Sequence, residues 1–140
     1  RVVGVEMVQD AVKDAQFNAT INGVSNIEFI CSKLEDCIDN VLKQINPTHS
    51  VIVVLDPPRS GVHPSVIRCL KQSSIAARIM RIIYVSCNAS LAKDNFESLM
   101  QPTTSKNKSY YQPEAAVLID LFPHTKHSEL VVAFKPHREE

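Results

Sequence analysis

Apolar residues recur along this chain in two rhythms. The short runs VVGVE, IEFI, SVIVVL, RIIYVS, AAVLIDL and ELVVAF are near-continuous and rich in Val and Ile, as strands are. Between them the apolar positions spread to helical spacing. Val8, Ala11, Val12, Ala15 and Ala19 mark one helix, with Asn22 and Gly23 as its stop. Leu34, Ile38, Val41, Leu42 and Ile45 mark a second, closed by Asn46 and Pro47. Pro64 opens a third, where its missing N–H costs nothing, with Val66, Ile67 and Leu70 inward. Leu91, Phe96 and Leu99 predict a fourth from about Ser90 to Met100.

Strands alternating with helices imply an α/β fold with a mostly parallel sheet. SVIVVL is apolar throughout, which predicts a strand covered on both faces. No helix separates AAVLIDL from ELVVAF, so those two strands are expected to pair antiparallel. The polar, proline-punctuated stretch QPTTSKNKSYYQPE reads as a loop, and the charged end KPHREE as a frayed tail. One domain, residues 1–136, is expected, with 137–140 as the tail. Arg1 leads straight into an apolar strand, and the chain reads as a piece of a longer protein.

Composition narrows the classes. Fifteen basic residues balance fifteen acidic ones, so any nucleic-acid contact must come from local patches. No run approaches the roughly 18 apolar residues of a membrane span, and no membrane partner is expected. The four cysteines, Cys31, Cys37, Cys69 and Cys87, are scattered. They read as free thiols in a reducing compartment, cytoplasmic or nuclear, and no metal site is expected.

Parallel strands present their carboxyl ends on one edge, where ligands bind. Chemistry-bearing residues fall there repeatedly: Glu6 after VVGV, Asp56 after VIVVL, Cys87 after RIIYVS, and FPHTKHSE after AAVLIDL. One crevice is expected to hold all four. Glu6 fits the acid that hydrogen-bonds ribose hydroxyls, about 20 residues after a glycine-rich turn that would lie upstream of Arg1. It fits equally an exposed acid favoured by a helix dipole.

At DPPRSG, neither Pro57 nor Pro58 can donate to a sheet, and Pro57 disfavours helical geometry at Asp56. The chain must leave the strand extended and turn stiffly, presenting the Asp56 carboxylate to a flat polar ring or an amine. The plainer reading is a turn whose acid pairs with Arg59. Cys87 divides between a small core residue and a nucleophile, the second favoured by its polar neighbours Tyr84, Ser86 and Asn88 and by a helix starting near Ser90. His124, His127 and Glu129 read as a solvated loop rather than a metal set. Glu129 borders an apolar strand, where partial burial would suit it to accept and release protons.

DPPRSG, YVSCN and DLFPHTKHSE in this order, with GVE before an Ala- and Asn-rich helix, resemble the S-adenosylmethionine-dependent RNA uracil-C5 methyltransferases. The likeness covers nearly the whole chain and corresponds to that family's carboxyl-terminal catalytic domain, a Rossmann-like methyltransferase fold here truncated at its N-terminus. The eukaryotic tRNA enzyme is nearest in character. The resemblance implies S-adenosylmethionine as cofactor and RNA, tRNA foremost, as partner. It maps the nucleophile to Cys87, the base to Glu129, and cofactor-binding acids to Glu6 and Asp56. The target base must be flipped out of its stack, and Arg59 and the basic residues of HTKH are candidates for phosphate or base contact.

Two departures stand out. Ala89 follows Asn88 where the family reads Cys-Asn-Pro, which loosens the turn carrying the thiol. The glycine-rich loop and an RNA-binding domain are also absent, so this stretch alone is expected to bind cofactor poorly and turn over little. Two other readings stay open: a degenerate RNA-binding relative that kept the fold, and a methyltransferase acting on an exocyclic amine at the acid-Pro-Pro corner.

Overall fold

Apolar runs and helical spacings resolve into six strands and four α-helices in the computed structural model, which describes residues 1–102, 109–125 and 127–137. The order is β1 (Val2–Glu6), α1 (Gln9–Ile21), β2 (Ile27–Cys31), α2 (Leu34–Lys43), β3 (Val51–Leu55), α3 (Pro64–Gln72), β4 (Ile79–Ser86), α4 (Lys93–Met100), β5 (Tyr111–Ile119) and β6 (Glu129–Pro136). The chain divides into two compact units, Arg1–Val41 and Leu42–Glu140.

In the first unit β1 and β2 pair in parallel, Val2 opposite Ile27 through Glu6 opposite Cys31. α1 connects them and ends as its sequence predicts. Asn22 caps it, and Gly23 turns the chain at φ +64°, where a β-carbon would cost energy. Of the predicted inward face of α1 only Val12 is fully buried, and Phe17 and Ile21 lie exposed.

The second unit is built on a four-stranded sheet of order β3-β4-β6-β5. β3 and β4 are parallel, whereas β4/β6 and β5/β6 are antiparallel, as the missing helix between the last two strands predicts. Side chains alternate across a sheet. On one face Leu55, Ile82, Tyr84, Val132 and Phe134 are buried with Val66, Ile67 and Leu70 of α3 and Leu99 of α4. Phe96 joins the layers, its ring 5.1 Å from Tyr84 edge-on and 5.7 Å from Phe134. Tyr111 donates its hydroxyl to the Leu70 carbonyl at 3.1 Å, and burial holds that phenol protonated by pushing its pKa up.

Four expectations need correction. Among the described residues β3 ends the four-stranded sheet, and Ile52 and Val54 are each 66% exposed, so no described part of this chain covers its outward face. An unbroken apolar run does not distinguish an edge from a centre. β5 begins at Tyr111, inside the stretch read as loop, with Pro113 at an irregular position of an edge strand where a missing donor is tolerated. Residues 103–108 of that loop lie outside the described residues. Lys135 and Pro136 extend β6, and His137 donates its backbone N–H to Tyr110 while its ring stacks on Tyr110 at 4.3 Å. The rest of the predicted tail, 138–140, lies outside the described residues. α4 starts at Lys93, not Ser90, because residues 89–92 form a turn.

Candidate functional site

Strand register determines which side chains share an edge of the second unit. β3 ends with Leu55 beside Tyr84, so Asp56 leaves the sheet next to Val85, two residues before Cys87. β4 and β6 run antiparallel to a last pair, Ser86 with Leu130. Cys87 follows the first and Glu129 precedes the second, so thiol and carboxylate residues stand side by side at the carboxyl end of β4. Glu129 in turn pairs with Ile119, which puts Asp120 at the same edge.

Asp56 is exposed, at the start of a corner that the two prolines stiffen. The corner closes on a bond of 2.8 Å from the Gly61 N–H to the Pro58 carbonyl, with Gly61 at φ +79°. Arg59 is exposed as well. Cys87 is of intermediate burial.

The turn around Cys87 is closed by side chains. Asn88 donates its backbone N–H to Ser86 Oγ at 3.2 Å, and its Oδ1 accepts the Leu91 N–H at 3.1 Å. The Asn88 carbonyl accepts from Ala92 at 3.1 Å. These three bonds tie Asn88 to Ser86 before it and to Leu91 and Ala92 after it. The helix end expected close to the thiol lies farther along, since Ala92 is the N-cap of α4.

Between β5 and β6, the Thr125 N–H and hydroxyl both donate to the Phe122 carbonyl, at 3.1 and 2.8 Å, and Thr125 Oγ1 accepts from the His127 N–H at 3.2 Å. His124 takes φ +64°, and both histidines are exposed. Lys126, the remaining basic residue of HTKH, lies outside the described residues. Among the described residues no three His, Cys, Asp or Glu gather as a metal-ligand set, and all four cysteines are free thiols.

Glu6 belongs to the first unit. It ends β1, exposed, and its Oε1 accepts the Val8 N–H at 2.8 Å at the start of α1. The N-cap Val8 makes no side-chain cap bond of its own, so Glu6 serves this end of the helix, in line with the helix-dipole reading.

Asp120 and Asn95 escaped the sequence reading, which named Tyr84 only as a polar neighbour of Cys87. Asp120 accepts the Phe122 N–H at 3.1 Å, and its signal was an acid at a strand end. Tyr84 and Asn95 are buried beneath the Asp56 corner and bonded to each other at 2.7 Å. Asn95 lies three residues after Ala92 and four before Leu99, a helical core position where a polar residue signals a buried partner.

Comparison with known proteins separates the families that share this edge chemistry. The family model described as tRNA (Uracil-5-)-methyltransferase matches residues 1–136. The chain belongs to that family. It is 40% identical over 136 residues to tRNA (uracil-5-)-methyltransferase homolog A of Mus musculus, covering 96% of this chain and 22% of that protein. It is 36% identical over 139 residues to homolog B of Danio rerio, covering 96% and 28%. The chain thus spans about a quarter of the length of these relatives. Solved structures share the Rossmann-like methyltransferase fold. An rRNA methylase from Streptococcus thermophilus superposes with a TM-score of 0.59 at 13% identity, over 99% of this chain and 74% of that one. A Streptococcus mutans methyltransferase in complex with SAH gives 0.56 at 12%, over 98% and 76%. This member of the tRNA (uracil-5-)-methyltransferase family combines parallel strands with an antiparallel pair at its carboxyl end.

Proposed function

We propose that this chain is the catalytic part of an enzyme that methylates C5 of a uridine in RNA, tRNA being the substrate its relatives' names indicate. The observation that supports the reading is the β4/β6 register, whose last pair is Ser86 with Leu130, so that Cys87 and Glu129 are the next residues of the two strands at the carboxyl end of β4.

Glu6 in the first unit and Asp56 in the second are each an exposed carboxylate at a strand end, an acceptor of the kind that suits S-adenosylmethionine's hydroxyls or amine. Glu6 would take ribose hydroxyls while keeping its bond to Val8, and Asp56 would take polar groups presented at the rigid corner. When bound, that cofactor supplies an electrophilic methyl group on a sulfonium.

Uracil C5 is a weak nucleophile. The Cys87 thiolate forms a bond from sulfur to C6, and the C5=C6 electron pair moves to C5 and the adjacent carbonyl, making C5 reactive. After C5 is methylated, Glu129 accepts the C5 proton. The released pair restores C5=C6 as the bond from Cys87 sulfur to C6 breaks, and the thiolate is regenerated. Covalent attack divides one high barrier into lower ones.

Cys87→Ala in the full-length protein is expected to reduce methyl transfer by roughly a thousandfold or more while leaving RNA affinity within about twofold. Glu129→Gln should instead accumulate protein covalently joined to RNA, because elimination needs the base. Full activity of Cys87→Ala would remove the nucleophile and the mechanism with it.

A further inference from the structure

The corner that carries Asp56 is gripped from below by a hydrogen-bonded pair that no catalytic role accounts for. Asn95 Oδ1 accepts the Val62 N–H at 2.8 Å, and Asn95 Nδ2 donates to the Val62 carbonyl at 3.2 Å. The side-chain amide thus pairs with one residue's backbone as a neighbouring strand would. Tyr84 donates its hydroxyl to the same Oδ1 at 2.7 Å from a fully buried position. Burial raises the Tyr84 pKa, a backbone bond with Val62 opposing it, so the phenol remains a donor.

The placement is informative. Leu55, the last residue before the corner, pairs with Tyr84 in the sheet. Val62, the first residue after it, is bound through Asn95 to the Tyr84 hydroxyl. Both ends of the excursion from Asp56 to Gly61 are therefore referred to one residue. Gly61 fits this clamp closely: a β-carbon there would collide with Asn95 Oδ1 and lie 3.3 Å from the Tyr84 hydroxyl. Tyr84 is three residues before Cys87 on β4, and Asn95 is eight after it on α4. The two elements flanking the thiol in sequence are the ones that hold the corner.

We propose that Tyr84 and Asn95 are positioning residues, a buried clamp that fixes the Asp56 corner relative to Cys87 without touching substrate. The proposal rests on the reading of Asp56 as a cofactor-binding acid. A loosened corner should weaken the grip on S-adenosylmethionine and leave the covalent chemistry of Cys87 in place.

The test compares Tyr84→Phe, Asn95→Asp and Tyr111→Phe in the full-length protein, assayed on uridine-containing RNA well below each melting temperature. Tyr84→Phe and Asn95→Asp should raise KM for S-adenosylmethionine about five- to tenfold with kcat within about threefold. Asn95→Asp keeps an acceptor for the Val62 N–H and Tyr84 but turns an oxygen toward the Val62 carbonyl, so its melting temperature is measured beside that of Tyr84→Phe, which removes a single hydroxyl and carries the test by itself. Tyr111→Phe removes an equally buried hydroxyl bond remote from the corner, and should lower the melting temperature with KM unchanged. Equal KM in all three variants, or a collapse of kcat at constant KM, would overturn the clamp. A wild-type protein that fails to methylate uridine would instead overturn the underlying reading.

Discussion

Two excursions leave the same edge of the four-stranded sheet, and they are held in opposite ways. The corner from Asp56 to Gly61 is tied to distant parts of the chain, through Asn95 on α4 and Tyr84 on β4. Among the described residues, the segment after β5 makes short-range bonds, linking Phe122 with Asp120 and Thr125 with Phe122 and His127. A carboxylate needed at a fixed place suits the first arrangement. Under the proposed function, a segment that would meet RNA suits the second, because local bonds hold a turn's shape without fixing it to the core.

The contrast can be broken most forcefully at Gly61. Gly61→Ala puts a side chain into left-handed backbone and against Asn95, and should cost about 3 kcal/mol of stability by urea denaturation, from strain and overpacking together. A loss below about 1 kcal/mol would mean the corner shifts freely and is not clamped.

A smaller effect comes from pH. Folding raises the pKa of Tyr84 and Tyr111 above the ordinary tyrosine value of 10.0, chiefly by burial. The folded state therefore keeps protons that the unfolded state releases. Stability from this source is complete below about pH 10 and declines as pH rises toward the folded values. Denaturation between pH 9 and 11 should show that decline, and Tyr84→Phe should reduce its slope. An unchanged slope would mean the Tyr84 hydroxyl is not buried in solution.

The smallest effect belongs to the other segment. Thr125→Ala removes bonds from an exposed turn and should alter stability by less than about 1 kcal/mol. A larger loss would show that the segment is anchored like the corner, and the comparison would fail.

Much of this was legible in the residues. The strands, the helix begun by Pro64, the antiparallel final pair and the strand-end positions of Asp56, Cys87 and Glu129 follow from periodicity and punctuation, which are local properties. Edge status is not local: SVIVVL is as apolar as a central strand, yet Ile52 and Val54 are exposed. Pro113 argued for a loop because a proline removes a ladder donor, a cost that disappears at the sheet's edge. Asn95 was invisible because its partners are 33 and 11 positions away. At the turn after Cys87, the bonds that Ser86 and Asn88 make are likewise visible only in coordinates.

The most direct test of the central claim is covalent trapping. RNA carrying 5-fluorouridine at the target position, incubated with the full-length protein and S-adenosylmethionine, places fluorine where Glu129 must remove a proton. Elimination is blocked, and mass spectrometry of the digested complex should find the modified pyrimidine attached to the peptide containing Cys87. Methylation of ordinary uridine RNA without any such adduct, or attachment at Cys31, Cys37 or Cys69, would contradict the account.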